Sequence, residues 1–318
     1  MSDQLSLFSP SEEPKPVRGA AVPEEIAAVA ARLGENVYLG TSSWSFPGWR
    51  GLVYDRDVSK TTLSRHGLSA YASHPLLRTV CLDRTYYGPM TAPELKRYAQ
   101  QVPDSFRFVV KAHELLTRAR TRGPSPTDNP HYLDRDYAER EVLRPLLEGL
   151  GDKAAVLLFQ FPPQTVSHLG GALRFAEDLG RFLDGLPPEL LYAVELRDPE
   201  LLTGAYVDAL ESAAACHAYN VHPTMPPVAR QSKLAEISRF PALVVRWMLR
   251  FDRGYEDARD AFYPFDRLAE EDAPARSAIA ALVRIAAASK KRAFVVVNNK
   301  AEGSAPLSVA RLAEALVG

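Results

Sequence analysis

From residue 37 onward the chain alternates two textures: short, nearly continuous runs of β-branched, aromatic and aliphatic residues, and longer Ala/Leu-rich stretches with amphipathic spacing. The short runs number eight, at 37–42, 78–83, 106–111, 154–161, 191–197, 216–221, 242–249 and 293–299. Helix-period stretches fall between or after them at 59–74, 91–101, 137–149, 172–184, 200–213, 275–289 and 307–316, and only the connection after the sixth run lacks a clear pattern. Strand-then-helix alternation predicts parallel strands joined by helical crossovers. Runs such as AAVLLFQF and AFVVV show no polar alternation, as expected where both faces of a strand are covered. Eight such units predict an α/β fold, a single (β/α)8 TIM barrel over residues 23–318. Residues 1–22 are polar and carry Pro10, Pro14 and Pro16, so the pattern predicts a disordered tail there. The connection over 112–136, with Arg118, Arg120, Arg122, Gly123, Pro124 and Pro126, predicts a long loop on the face where barrel active sites lie.

In a barrel the reactive groups come from the C-terminal ends of strands. Those ends carry Trp44, Asp83, Tyr86, Tyr87, Lys111, His113, Gln160, Glu195, Arg197, Asn220, His222, Arg246, Asn298, Asn299 and Lys300. Side chains alternate along a strand, so Glu195 shares a face with Arg197, Lys111 with His113, and Asn220 with His222, provided each strand stays regular past its end. Charges on an inward face are costly unless paired or used. The set therefore fits either a structural ion-pair layer or a ligand site. Lys111, Arg197, Arg246 and Lys300 suit an anion, Gln160, Asn298 and Asn299 offer hydrogen bonds, and Trp44, Tyr86 and Tyr87 could stack on a ring. Glu195, Asp83, His113 and His222 are the candidate catalytic groups. The same four could hold a divalent metal, the one cofactor the residues suggest, although no local ligand spacing marks it.

Composition narrows the partners. Lys plus Arg is 38 against 39 Asp plus Glu, a net charge of −1, so no global field draws the chain to nucleic acid or membranes, and any contact with nucleic acid must be local. The two cysteines, Cys81 and Cys216, are too few for a disulfide framework, and no long uncharged apolar stretch or export signal is present; a cytoplasmic protein without a membrane partner is expected. The phosphate-binding glycine motifs of nucleotide sites and the GxSxG elbow are absent, so no nucleotide cofactor or serine nucleophile is implied.

The runs GTSSWSFPGW, TVCLDRTYY, LLFQFPP, AVELRDPE and VVVNN occur in that order and resemble the motifs of the YecE-like family, also called domain of unknown function 72. The resemblance covers about residues 37–318 and implies a TIM barrel with no established activity. It also implies that Trp44, Trp49, Thr85, Tyr87, Lys111, Gln160, Glu195, Arg197, Asn298 and Asn299 are motif positions. The strand-two motif of that family usually has glutamate where Cys81 stands and asparagine where Asp83 stands, so this chain departs from the family pattern there.

In the tail, Gln4, Leu5, Ser6, Leu7 and Phe8 read QLSLF, which resembles the short peptide by which bacterial replication and repair proteins bind the sliding clamp. Gln4, Leu5, Leu7 and Phe8 would be the partner contacts, presented on a flexible polar segment. Tethering of this kind raises effective concentration, so a neutral barrel could still work on DNA. The sequence thus points to a barrel that binds an anionic, phosphate-bearing ligand at its mouth, as a clamp-recruited, DNA-repair-associated hydrolase. The rivals are a sugar or sugar-phosphate hydrolase or isomerase, and a non-enzymatic clamp-associated module.

Overall fold

A computed structural model describes residues 16–318. Its strands are β1 (Val37–Thr41), β2 (Thr79–Leu82), β3 (Arg107–Lys111), β4 (Ala154–Gln160), β5 (Leu191–Glu195), β6 (Cys216–Val221), β7 (Ala242–Trp247) and β8 (Arg292–Val297). They close into a barrel in chain order, every neighbouring pair parallel, as the alternation of runs predicts. All eight predicted runs are strands, each ending within two residues of its expected end. The crossover over Ala172–Asp184 shows why the helices form where they do. Its buried residues Phe175, Ala176, Leu179, Phe182 and Leu183 recur with helical period and make one apolar stripe facing the barrel. The helix Ala92–Ala99 starts at a reciprocal cap, in which the Thr91 side chain accepts from the Glu94 amide and the Glu94 carboxylate accepts from the Thr91 amide.

Four features differ from or add to the sequence reading. The sixth connection does contain a helix, Val228–Leu234, too short for a periodic signal, and a further helix, Tyr255–Phe262, follows β7. The segment over 112–136 is not structureless. It contains a 3₁₀ turn at Glu114–Leu116 and an antiparallel bridge between Arg120 and Asp128. Asn129 pins it, its amide donating to the carbonyls of Leu115 at 2.7 Å and Arg118 at 2.6 Å. The barrel's packing also begins before residue 23: Val17 is buried, and the Ala20 amide donates to the Val53 carbonyl at 2.9 Å.

The seam between β1 and β2 is short, with Gly40 opposite Thr79 and Thr41 opposite Val80. It closes tightly because Gly40 has no Cβ; one placed there would lie 1.8 Å from the Thr79 carbonyl oxygen. Tyr71, fully buried, laces the seam. Its hydroxyl accepts from the Thr41 amide at 3.0 Å and donates to the Thr79 carbonyl at 2.8 Å.

Candidate functional site

The interior at the C-terminal ends of the strands holds a layer of charge. Glu195, the last residue of β5, is fully buried, with Arg197 against Oε1 and Arg246 Nε 3.2 Å from Oε2. Arg246 also reaches Asp83, Nη1 to Oδ1 at 3.2 Å, and donates to the Cys81 thiol sulfur at 2.8 Å. β7 and β2 are separated by two strands in the closed sheet, so this contact crosses the barrel lumen. Register explains the convergence. Asn220 is the partner of Arg246 and Gln160 the partner of Glu195, and paired residues share a face. Cys81 and Asp83 are two apart at the end of β2, and the Cys81 thiol donates to Asp83 Oδ1 at 3.3 Å.

Lys111 closes the layer on the β3 side. It is 7% exposed, and its Nζ lies 3.5 Å from the centre of the Tyr86 ring. Among the described residues it has no ion pair and no hydrogen bond through its side chain. Its backbone is fixed by the Thr85 hydroxyl, which donates to the Lys111 carbonyl at 2.5 Å. Burial pushes the Lys111 ammonium below its ordinary range, with Arg246 adding to the effect and Asp83 and Glu195 opposing it. Burial alone would raise the two carboxyls, but neighbouring cations win. Arg197, Arg246 and Lys111 hold Glu195 below the usual carboxylate range, and Arg246 and Lys111 do the same for Asp83. Both carboxylates are therefore ionised at neutral pH. Burial pushes the Cys81 thiol far up, so it is a neutral donor rather than a nucleophile.

The other expected site residues divide. Gln160 is half-buried at the mouth, and its side chain makes no hydrogen bond among the described residues. Asn220 is buried; its Nδ2 donates to the Leu196 carbonyl at 3.0 Å, while its Oδ1 has no partner. His222 lies beside Arg197 and Glu195, bonded through Nδ1 to the Thr224 hydroxyl at 2.9 Å, and burial with the Arg197 charge pushes its pKa down to about 4. His113 turns away to Tyr137, Nδ1 to hydroxyl at 2.6 Å. The expected metal set of Asp83, His113, Glu195 and His222 is therefore not assembled, and no group of three or more His, Cys, Asp or Glu among the described residues is arranged to hold a metal ion. The physical reason is that His113, past the end of β3, turns out to Tyr137 and so does not join His222 beside Glu195.

Several candidates serve the barrel itself. Trp44 donates through Nε1 to the Leu63 carbonyl at 3.0 Å. Asn299 Oδ1 accepts from Trp49 Nε1 at 3.2 Å and from the Ala305 amide at 2.8 Å, which ties the first loop to the last helix. Asn298 donates to the Ser42 hydroxyl at 2.9 Å across the β8–β1 seam. Lys300 is buried 4.0 Å over the Tyr255 ring, and Tyr87 is 72% exposed. Gln4, Leu5, Leu7 and Phe8 lie outside the described residues.

The sequence reading missed Cys81 as a site member, although its parity with Asp83 was the available signal. It also missed the buried bracket behind β6, where His217 Nε2 meets Gln231 Oε1 at 3.2 Å and Gln231 Nε2 donates to the Asn220 carbonyl at 2.7 Å. No sequence spacing connects those two residues.

Fold and site together define a (β/α)8 barrel whose C-terminal mouth is a buried, mixed-charge layer. The chain belongs to the family described as Protein of unknown function DUF72, whose model matches residues 38–318. It is 30% identical over 128 residues to the UPF0759 protein YunF of Bacillus subtilis strain 168, a match spanning 40% of this chain and only 40% of that relative. Among solved structures it is similar to a DUF72 family protein from Enterococcus faecalis V583, at 21% identity, 88% of this chain and 95% of that one, with a TM-score of 0.56. A DUF72 family protein from Thermotoga maritima MSB8 matches at 18% identity, 87% of this chain and 98% of that one, with a TM-score of 0.57. These structural likenesses concern the fold. Among the described residues no helix is long and apolar enough to cross a membrane.

Proposed function

We propose that the chain is a cytoplasmic barrel that binds a phosphate-bearing anion at its C-terminal mouth, the anion being a nucleotide or a nucleic-acid phosphodiester. One observation carries the reading: Lys111, Arg197 and Arg246 converge on Glu195 and Asp83, so the layer has one cation more than it has carboxylates, and Lys111 is the cation that meets a ring face and, among the described residues, no hydrogen-bond or ion-pair partner. A cation held at the mouth without a carboxylate of its own favours an anion from solution. Lys111 and the outer edge of Arg197 would contact the anion, Gln160 and Asn220 would hydrogen-bond its neutral part, and Arg246 would position both carboxylates. Glu195 is too deeply paired to take a proton readily. Asp83, half-buried, is the carboxylate that would accept one from water in a phosphodiester hydrolysis.

The QLSLF peptide supports recruitment to the sliding clamp, which would supply the DNA that an overall charge of −1 does not attract. Anisotropy titration of a labelled single-stranded oligonucleotide tests the site. Arg197→Ala and Lys111→Met should each weaken binding by about tenfold to a hundredfold, since a charge-assisted hydrogen bond contributes about 1.5–3 kcal/mol. Binding unchanged in both variants would place the ligand elsewhere. Capture on purified clamp should be lost in the Leu7→Ala, Phe8→Ala double variant, and capture that persists would refute the tether.

A further inference from the structure

We propose that Lys111 forms a covalent imine with an aldehyde or ketone that carries an anionic group, which makes the mouth a carbonyl-processing site. The inference rests on the mouth being the anion site and adds the chemical class of what enters it.

The amine is built for the step. It is nearly buried, its side chain has no hydrogen bond or ion pair among the described residues, and the Tyr86 ring at 3.5 Å holds the end of its flexible stem in one place. Arg246 beside it and the loss of water around it both favour the neutral amine, the environment in which lysines become nucleophiles. The half-buried lysines Lys153 and Lys291 look different. Lys153 gives its ammonium to the Ala99 and Val102 carbonyls, both at 2.8 Å, and Lys291 gives its own to Ile237 and Ser238, both at 2.9 Å. Lys111 sits among carboxylates and guanidiniums yet bonds to none of them.

The step balances without a co-reactant. The ammonium loses a proton and the neutral nitrogen attacks the carbonyl carbon, so that a C–N bond forms as the carbonyl π pair moves to oxygen. That oxygen then leaves as water, taking two protons that began on the nitrogen. Lysine ammonium plus carbonyl thus gives protonated imine plus water, with charge conserved. The product is again a cation, so the Tyr86 ring face and the charges of Asp83 and Glu195 hold it as they held the ammonium. Asp83, whose charge acts on Lys111, would relay the protons, and Arg197, held on Glu195, would take the anionic group.

The experiment is reductive trapping on the full chain. The protein is incubated with glycolaldehyde phosphate and cyanoborohydride at neutral pH, and modified lysines are mapped by peptide mass spectrometry. Lys300 is the internal comparison, because it is equally buried over an aromatic ring but stands outside the charge layer. The expected result is labelling of Lys111 severalfold faster than of Lys300 or any surface lysine, slower with phosphate-free glycolaldehyde, and suppressed by inorganic phosphate. Labelling confined to other lysines, or Lys111 labelled no faster than they are, would overturn the proposal. Preferential labelling of Lys111 that ignores phosphate in both arms would uphold the imine and count against the anion site. Because the wild-type chain alone gives the answer, no variant has to fold.

Discussion

Replacing Glu195 by Gln removes one charge and almost no volume, which makes it the sharpest probe of the buried layer. The wild-type carboxylate is fully buried between Arg197 and Arg246, and Arg246 is itself 1% exposed. In Glu195→Gln, Arg246 keeps Asp83 but Arg197 loses the one ion-pair partner it has among the described residues, and two guanidiniums stay desolvated around a neutral amide. Breaking one side of a buried pair costs about 3–5 kcal/mol. For a chain of this size that corresponds to a fall of roughly 6–10 °C in unfolding temperature, at about 2 °C per kcal/mol.

A pH signature should accompany the loss. Glu195 has a folded pKa held below its unfolded value, so its contribution is complete above the unfolded pKa and disappears as pH falls through the folded one. The variant should therefore lose most stability relative to wild type near neutrality and converge with it in acid. Urea unfolding at neutral and acidic pH, repeated with Arg246→Met and the double variant, reads both effects and the coupling between the two side chains. A loss below about 1 kcal/mol at neutral pH, or a coupling near zero, would refute the claim that these charges depend on one another.

Two further outcomes follow from the fold. Gly40→Ala should destabilise by about 1–3 kcal/mol or more in thermal unfolding, because the new methyl meets the Thr79 backbone and not a movable side chain; an unchanged melting temperature would mean that the seam is looser than described. His217 is buried and neutral, its pKa pushed down by burial to about 4 from an ordinary 6.5. Its contribution is intact above the unfolded value and lost as pH falls from there toward 4. His217→Gln should flatten the stability profile across that interval, and an equally steep profile in the variant would assign the slope to other groups.

The barrel was legible because its strands are covered on both sides, which writes them as apolar runs that no loop or surface helix imitates. The helices were legible where they are long enough for a repeat, as over Ala172–Asp184, and not where a crossover is one turn or two, as over Val228–Leu234. Strand parity carried part of the site: Glu195 with Arg197, even though Arg197 lies two residues past the end of β5. It failed at His113, two residues past the last paired position of β3, where the side chain turns away to Tyr137, whereas His222, one residue past β6, still lies beside Arg197 and Glu195. Across the lumen parity is silent, so the Arg246 link to Asp83 and the isolation of Lys111 come only from closing the sheet. The departures at Cys81 and Asp83 from the family pattern acquire a physical meaning there. The neutral thiol and the carboxylate together receive Arg246 Nη1 and leave Lys111 unpaired.

The central claim is that the uncompensated cation at the mouth is there for an anion, and a crystal of the chain grown with tungstate tests it most directly. Anomalous density is expected within hydrogen-bond reach of Lys111 Nζ and the Arg197 guanidinium. Density found only at the surface hollow lined by Arg65, Arg84 and Arg97, with none at Lys111, would contradict it.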